Sequence, residues 1–352
     1  VIQTILPPEI SSISGKPCEL RTEKIELNFR GETFEVFDQY WFDPADGSDF
    51  TTAPLSDITQ RLLHSAYREK HGIPFPEEIT EIRERFGMSA RAMSSLLGIG
   101  TNQYSLYEKG EVPSKPIGKL IASLRAPKAF KQLLEAESEG IPEKKRLAAL
   151  SKFEELKQVR NKKYYLDSFL SVKQRFDEQL PKKSNGYRKP SLHNVAATIA
   201  LLSIGIDHLY TVKLNKLLFY VDQLVFSAQG KGLTGLTYCA IPMGPVPDDY
   251  RDVFSAISQE EVGALKIDRP ANSFGDSGEQ FEAFKASSIA IQMARSIISD
   301  PLHLKAIEQV RSEFGFMKTD ALVELSHQEP EWIDKHESKG KMEYQVRGVQ
   351  GK

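Results

Sequence analysis

The stretch "MSARAMSSLLGIGTNQYSLYEKGEVPS", Met88 to Ser114, decides how the middle of this 352-residue chain is read. Within 89–97, Met93, Leu96 and Leu97 fall at i, i+3 and i+4, the spacing of one buried helical stripe. Gly98 permits a tight turn, and Ile99 can plug the angle between two helices. Within 101–108, Tyr104 and Tyr107 lie three apart and face the same core, while Asn102 and Leu106 lie four apart on another face. Working outward, the breaks at Gly87, Gly98 to Gly100, Gly110 with Pro113, and Pro127 predict five short helices: 77–86, 89–97, 101–108, 114–123 and 127–136.

A short helix held in this way offers Asn102 and Gln103 near its N-terminus, where a recognition helix meets base edges. Both side-chain types can bind adenine bidentately in the major groove. Arg91, Lys109, Lys115 and Lys119 are candidate phosphate contacts, and Thr101, Ser105 and Leu106 complete the candidate DNA-binding set. A dimerisation module with a solvated Asn102 has the same pattern, and that alternative stays open.

Charge is unevenly spread. Residues 143–190 carry 14 Lys and Arg against 6 Asp and Glu, whereas 1–75 carry 7 against 12 and 191–352 carry 16 against 21. A basic middle between acidic ends implies an anionic partner near the centre, or a solvated helical connector. Two distant cysteines, Cys18 and Cys239, exclude a disulfide framework and fit a reducing cytoplasm. The longest apolar run, 195–206, is too short to span a bilayer, and the first residues lack the pattern of a signal peptide, so a soluble cytoplasmic protein with no membrane partner is expected.

Towards the start, 24–41 alternates around Arg30-Gly31-Glu32 and predicts a hairpin with Ile25, Leu27 and Phe29 on one face and Phe34 and Val36 on the returning strand. "DPADGSD" from Asp43 is a turn cluster. A helix follows with Ser56 as N-cap and Gly72 just past its end. Beyond the centre, 143–180 reads as one long helix or two, and "PKKSNGYRKP", 181–190, as a flexible linker. Helices are expected at 191–206, 211–229, 301–315 and 317–326, with strand-like runs near 234–241, 262–268 and 280–287.

"GIGTNQYSLYEKGEVP", followed by "IGKLIASLRAPKAFKQLL", resembles the Xre-type helix-turn-helix of MqsA-type (YgiT-type) antitoxins. The resemblance implies that Asn102 reads a base. Two positions depart from the family: Leu106 stands where an Arg is usual and Ala90 where Gln is common, which implies altered or weakened operator reading. The family's N-terminal zinc ribbon needs four thiolate ligands. Here Asp43 and Asp46 occupy one pair of those positions and Cys18 is the only thiol nearby, so residues 18–52 read as a metal-free relic of that ribbon, or as an unrelated small hairpin. No metal and no cofactor are expected.

In 213–254, Leu214, Leu217, Leu218, Val221, Leu224 and Val225 form a buried helix stripe with Tyr220 nearby. "MGPVPDDY" reads as a rigid loop, because Pro245 and Pro247 fix φ and Gly244 allows close approach. This stretch, with the late "LVELSHQEPEW", resembles the Panacea (SocA-like) antitoxin domain over about 191–335. The resemblance implies a toxin-binding surface, assigned to Tyr220, Gly244, Pro245, Pro247, Asp248 and Tyr250. His193, Asp207, His208, Asp222, Asp248, Asp249, His327 and Glu329 offer a hydrolase or metal alternative, but they match no catalytic spacing. His327 is better read as a helix-end anchor against Trp332.

The combined expectation is a mainly α, α+β chain. It comprises a ribbon-like hairpin region (1–72), a five-helix Xre-type helix-turn-helix (76–137), a basic helical connector (138–190) and a mostly helical Panacea domain with a small sheet (191–340). The implied function is that of a non-enzymatic type II antitoxin with a cognate toxin, operator DNA and a second copy of itself as partners. The alternatives are a proteolytic adaptor or phage-related regulator with weak or lost DNA binding and, last, a hydrolase.

Overall fold

The computed structural model describes residues 4–137, 141–161, 168–207, 209–259, 267–268, 271–273 and 280–350. The chain is mainly helical with small, mostly antiparallel sheets, the α+β class expected from its sequence. In chain order the elements begin with β1 (Glu19–Phe29), β2 (Glu32–Phe42), β3 (Asp49–Phe50), α1 (Ala53–His71), α2 (Pro76–Arg85), α3 (Ala90–Leu96) and α4 (Gln103–Glu108). Then come α5 (Lys115–Ser123), α6 (Pro127–Ala136), α7 (Glu143–Asn161), α8 (Ser168–Glu178), α9 (Leu192–Leu202), β4 (Leu209–Tyr210) and α10 (Thr211–Gln229). The remainder are β5 (Tyr238–Ile241), β6 (Gly244–Pro247), α11 (Tyr250–Gln259), β7 (Ile267–Asp268), β8 (Ala271–Ser273), β9 (Gln280–Ala286), α12 (Ser288–Ile297), α13 (Pro301–Phe314), α14 (Thr319–Ser326), α15 (Pro330–Lys335) and β10 (Val349–Gln350). Two compact units result: a central unit, 63–165, and a composite unit, 1–62 with 166–352.

The central unit holds the five short helices α2 to α6, each within two residues of its expected bounds. Its core gathers Ile79, Ile82, Phe86, Met93, Leu96, Tyr104, Ile121, Phe130 and Leu134, with Ile99 packed against them. Phe86 and Phe130 stack with ring centroids 3.7 Å apart. Buried Tyr104 donates its hydroxyl to the Ile79 carbonyl at 2.8 Å, so its polar end is satisfied inside the core. Ser89 caps α3 by accepting from the Ala92 amide, and Gly98 takes φ 62° at the turn that follows. The helix before this unit was expected to start at Ser56. It starts a turn earlier at Ala53, because Pro54 is tolerated where no amide donor is needed and the Ser56 amide already bonds Thr52 O.

In the composite unit, β1 and β2 form a long hairpin closed by Arg30 (φ 52°) and Gly31 (φ 79°), a two-residue turn whose positive angles match the twist of its strands. The pairs Leu27↔Phe34 and Ile25↔Val36 lie across the hairpin as expected. A lone two-stranded hairpin cannot bury enough apolar surface to stand by itself. Here its sheet is widened by β3 on one side and by β10, parallel to β1, on the other. Gln39 donates to Arg347 O at 3.0 Å, and Arg61 to Gln229 O at 2.8 Å, fastening the hairpin region to the rest of the unit.

Helix α10 is buried on every face from Leu214 to Ala228, the mark of a central core helix. It packs against α9, α13 and α14. The segment 181–190, expected as a flexible linker, is packed: Asn185 is fully buried, and Gly186 O accepts from the Gly232 amide at 2.8 Å. Asn185 also accepts from the Lys182 amide and donates to Leu180 O, so this polar segment satisfies itself as it folds in. The basic run 143–180 forms two helices, α7 and α8; residues 162–167 between them, His208, and most of the expected strand at 262–268 lie outside the described residues.

Candidate functional site

On the central unit, α3 and α4 follow one another across the turn at Gly98. Asn102 is exposed at the N-terminal edge of α4, and no cap hydrogen bond occupies its side chain. Thr101, Arg91, Lys109 and Lys115 are exposed as well, while Ser105 is half-buried. Leu106 leaves 41% of its surface open, an apolar contact on a polar face. Ala90 is partly buried against the core. Gln103 does not stand open like Asn102, because its amide donates to Glu111 Oε1 at 2.7 Å. Behind this face, Arg68 donates to the carbonyls of Gly110 and Glu111 at 3.1 and 2.8 Å, and Arg83 pairs with Glu108 at 2.6 Å. These bonds hold α4 and the segment after it in one geometry.

On the composite unit, the motif around Gly244 departs from its expected form. Gly244–Pro247 is not a loop but strand β6, paired with β5 from Tyr238↔Pro247 to Ile241↔Gly244. Two prolines fit because this sheet has only two strands, so a missing amide donor need not break a ladder. Gly244, Pro245 and Pro247 are buried, and Tyr220 is 1% exposed with its ring 4.7 Å from that of Phe314. The surfaces of these four residues are taken by the core, so none of them is open to a partner. Asp248 and Tyr250 are half-buried, with Asp248 paired to Lys341 at 2.8 Å. Asp249 and Asp252 clasp Arg175 at 3.0 and 3.1 Å.

The close approach expected of Gly244 is real. At φ 87° its Cα faces Lys216 and Ser326, and a Cβ would collide with Ser326 Oγ and Lys216 Cε. Gly244→Ala is therefore expected to destabilise the protein by about 3 kcal/mol or more, read as a lower urea midpoint. A larger side chain at this position tests folding, not binding.

Lys216, on α10, is wholly buried, and its ammonium donates to Pro245 O at 3.0 Å. Burial pushes its pKa down to about 7. Six positions along, Asp222 is also wholly buried and accepts from the amides of Leu233 and Thr234 at 2.9 and 2.8 Å, from the Thr234 hydroxyl, and from the Tyr238 hydroxyl at 2.8 Å. The signal for both was a charged residue inside an otherwise apolar helix stripe. Spacing alone gives Lys216 no role and offers Asp222 only to the hydrolase alternative.

The other residues of the hydrolase alternative are scattered among structural tasks. His327 ends α14 and stacks on Trp332 with centroids 4.0 Å apart, the anchor expected of it, and His336 stacks on the same indole at 4.4 Å. Glu329 pairs with Arg347 at 2.9 Å. His193 and Asp207 are exposed. Near the hairpin, burial and the carboxylates of Asp43 and Asp46 push the Cys18 thiol up, which disfavours the thiolate a metal would need. Among the described residues no three His, Cys, Asp or Glu side chains converge to hold a metal, and no helix is long and apolar enough to cross a membrane.

No curated protein and no solved structure matches the chain. Residues 214–333, from α10 to α15, match the family model described as antitoxin SocA-like, Panacea domain, and this match supports an antitoxin-type role.

Proposed function

We propose that this chain is the antitoxin of a type II toxin–antitoxin pair, acting in the cytoplasm by stoichiometric binding. The observation that carries the reading is the Panacea match over α10 to α15, together with a rigid surface built around β6. The toxin would meet Asp248, Tyr250 and the exposed turn at Pro242 and Met243, which Trp332 braces by donating to Ile241 O at 2.8 Å. Tyr220, Gly244, Pro245 and Pro247 would fix that surface from beneath. Co-expression of the full chain with the product of the adjacent gene should rescue growth, and the two should co-purify. Tyr250→Ala should weaken rescue while leaving the melting temperature within a few degrees. Loss of neither rescue nor co-purification in Tyr250→Ala and Met243→Asp alike would remove this surface from consideration.

In the same reading the central unit represses the operon as a homodimer, with Asn102 reading a base. Asn102→Ala is expected to weaken binding to the chain's own promoter by about 1–3 kcal/mol and to relax preference at one base pair. Gln103→Ala should lose less, because the Glu111 bond already occupies its amide. Lys115→Ala should weaken binding to all duplexes and lower the salt slope by about 1. Leu106→Arg should tighten binding. Wild-type protein that shifts its promoter no better than random duplex would instead favour an adaptor or phage-related regulator with lost DNA reading, which the apolar Leu106 and the tethered Gln103 already favour as the second reading.

A further inference from the structure

A cavity of about 570 Å³ opens within the composite unit. Its walls come from the hairpin, from α10, from the connection between α14 and α15, and from the segment 343–348. Phe37 on the hairpin and Phe219 on α10 supply aromatic surface. Three carboxylates line it, and each has a cation at hand: Glu329 with Arg347 at 2.9 Å, Glu331 with Lys335 at 2.9 Å, Glu343 with Lys183 at 2.8 Å. Arg347 within the lining and Lys335 and Lys183 behind it thus pair all three carboxylates, so neither a phosphate nor an ammonium finds an unmatched charge there.

Gln223 supplies the polar handle. It is 3% exposed, and its Oε1 accepts from the Gln345 amide at 3.1 Å. That bond fixes which end of the carboxamide is nitrogen, since an NH₂ group cannot accept from a backbone amide. Among the described residues, Gln223 Nε2 has no hydrogen-bond partner, and Gln223 lines the cavity. This donor reaches the cavity rather than closed core, so a group bound there can accept from it.

We infer that this cavity binds an uncharged ligand presenting a carbonyl oxygen to Gln223 Nε2 and an apolar body to Phe37 and Phe219. Its volume lies in the range of small-ligand sites, about 300–1,000 Å³. The chemistry is that of a capped amino-acid amide, free or within a peptide segment. This site is separate from the toxin surface proposed above, and either can fail alone.

The test uses the full chain and calorimetric titration with three probes of one shape: N-acetylphenylalanine amide, N-acetylphenylalanine and phenethylamine. The neutral amide is expected to bind at least tenfold tighter than the anion or the cation. Gln223→Glu keeps an acceptor for the Gln345 amide but turns the donor into an acceptor, so affinity for the amide should fall at least tenfold, with a lower melting temperature from the added buried carboxylate. Should that variant unfold, Phe37→Ala, on the half-exposed hairpin wall, should produce a comparable loss. No binding of the amide, equal binding of all three probes, or unchanged affinity in the folded variants overturns the inference. A capped glycine-rich hexapeptide with one central phenylalanine separates the sources: tighter binding than the single amide assigns a peptide segment, and equal or weaker binding a free small molecule.

Discussion

Asp222→Ala is expected to destabilise the composite unit by about 3–5 kcal/mol, seen as a lower urea midpoint at unchanged slope. The wild-type carboxylate gathers two backbone amides and two hydroxyls in a region without water access. Alanine would leave all four donors facing a void. Asp222→Asn should cost much less. Its single oxygen still serves the amides of Leu233 and Thr234, which can only donate, while the hydroxyls of Thr234 and Tyr238 can rotate and accept from the new NH₂. Equal losses for both variants would show that charge, and not hydrogen-bond count, holds this corner. An alanine variant as stable as wild type would mean the network contributes nothing.

Lys216→Met is expected to make the protein more stable than wild type at pH 6, with the advantage fading towards pH 10. The folded-state pKa of Lys216 is about 7, against about 10.4 for a solvated lysine. Between those values the unfolded chain holds the proton that the folded chain releases, so wild-type stability gains with rising pH over that window. Below about pH 7 the full penalty of a buried ammonium applies, on the order of 3–5 kcal/mol. Methionine has a similar shape and no charge to desolvate, although it leaves Pro245 O without its donor. Unfolding both proteins across this range measures the difference directly. A gap that does not change with pH would mean that Lys216 stays charged in the folded state.

The parts of this architecture that were legible in the sequence are those in which local pattern and tertiary role agree. The central helices carry their own stops, and the stripe of α10 and the Arg30–Gly31 turn are local signals. The strand at Gly244–Pro247 was hidden because proline argues against a ladder, and only a two-stranded sheet excuses it. The packing of 181–190 was hidden because its lysines, asparagine and glycine resemble a solvated linker; the buried bonds of Asn185 depend on partners that composition does not reveal. Tyr220, Pro245 and Pro247 drew attention through the motif they belong to, but spacing alone cannot tell a surface contact from the support beneath it. Gln223 gave no warning, since the bond that orients it comes from Gln345, 122 positions later.

The parallel pairing of Arg21 with Val349 and Thr22 with Gln350 has a consequence in time. A ribosome delivers the hairpin first and its last sheet neighbour more than 300 residues afterwards. The central unit, contiguous from 63 to 165, can fold as soon as it emerges. The composite unit must wait for 342–350, and until then the edge of β1 at Arg21 and Thr22 lacks its neighbour. Nascent chains stalled before residue 340 should therefore acquire the protease resistance of the central unit while leaving the hairpin open to cleavage. An assembly of this kind imposes an order of birth, in which a completed central unit precedes the finished surface around β6.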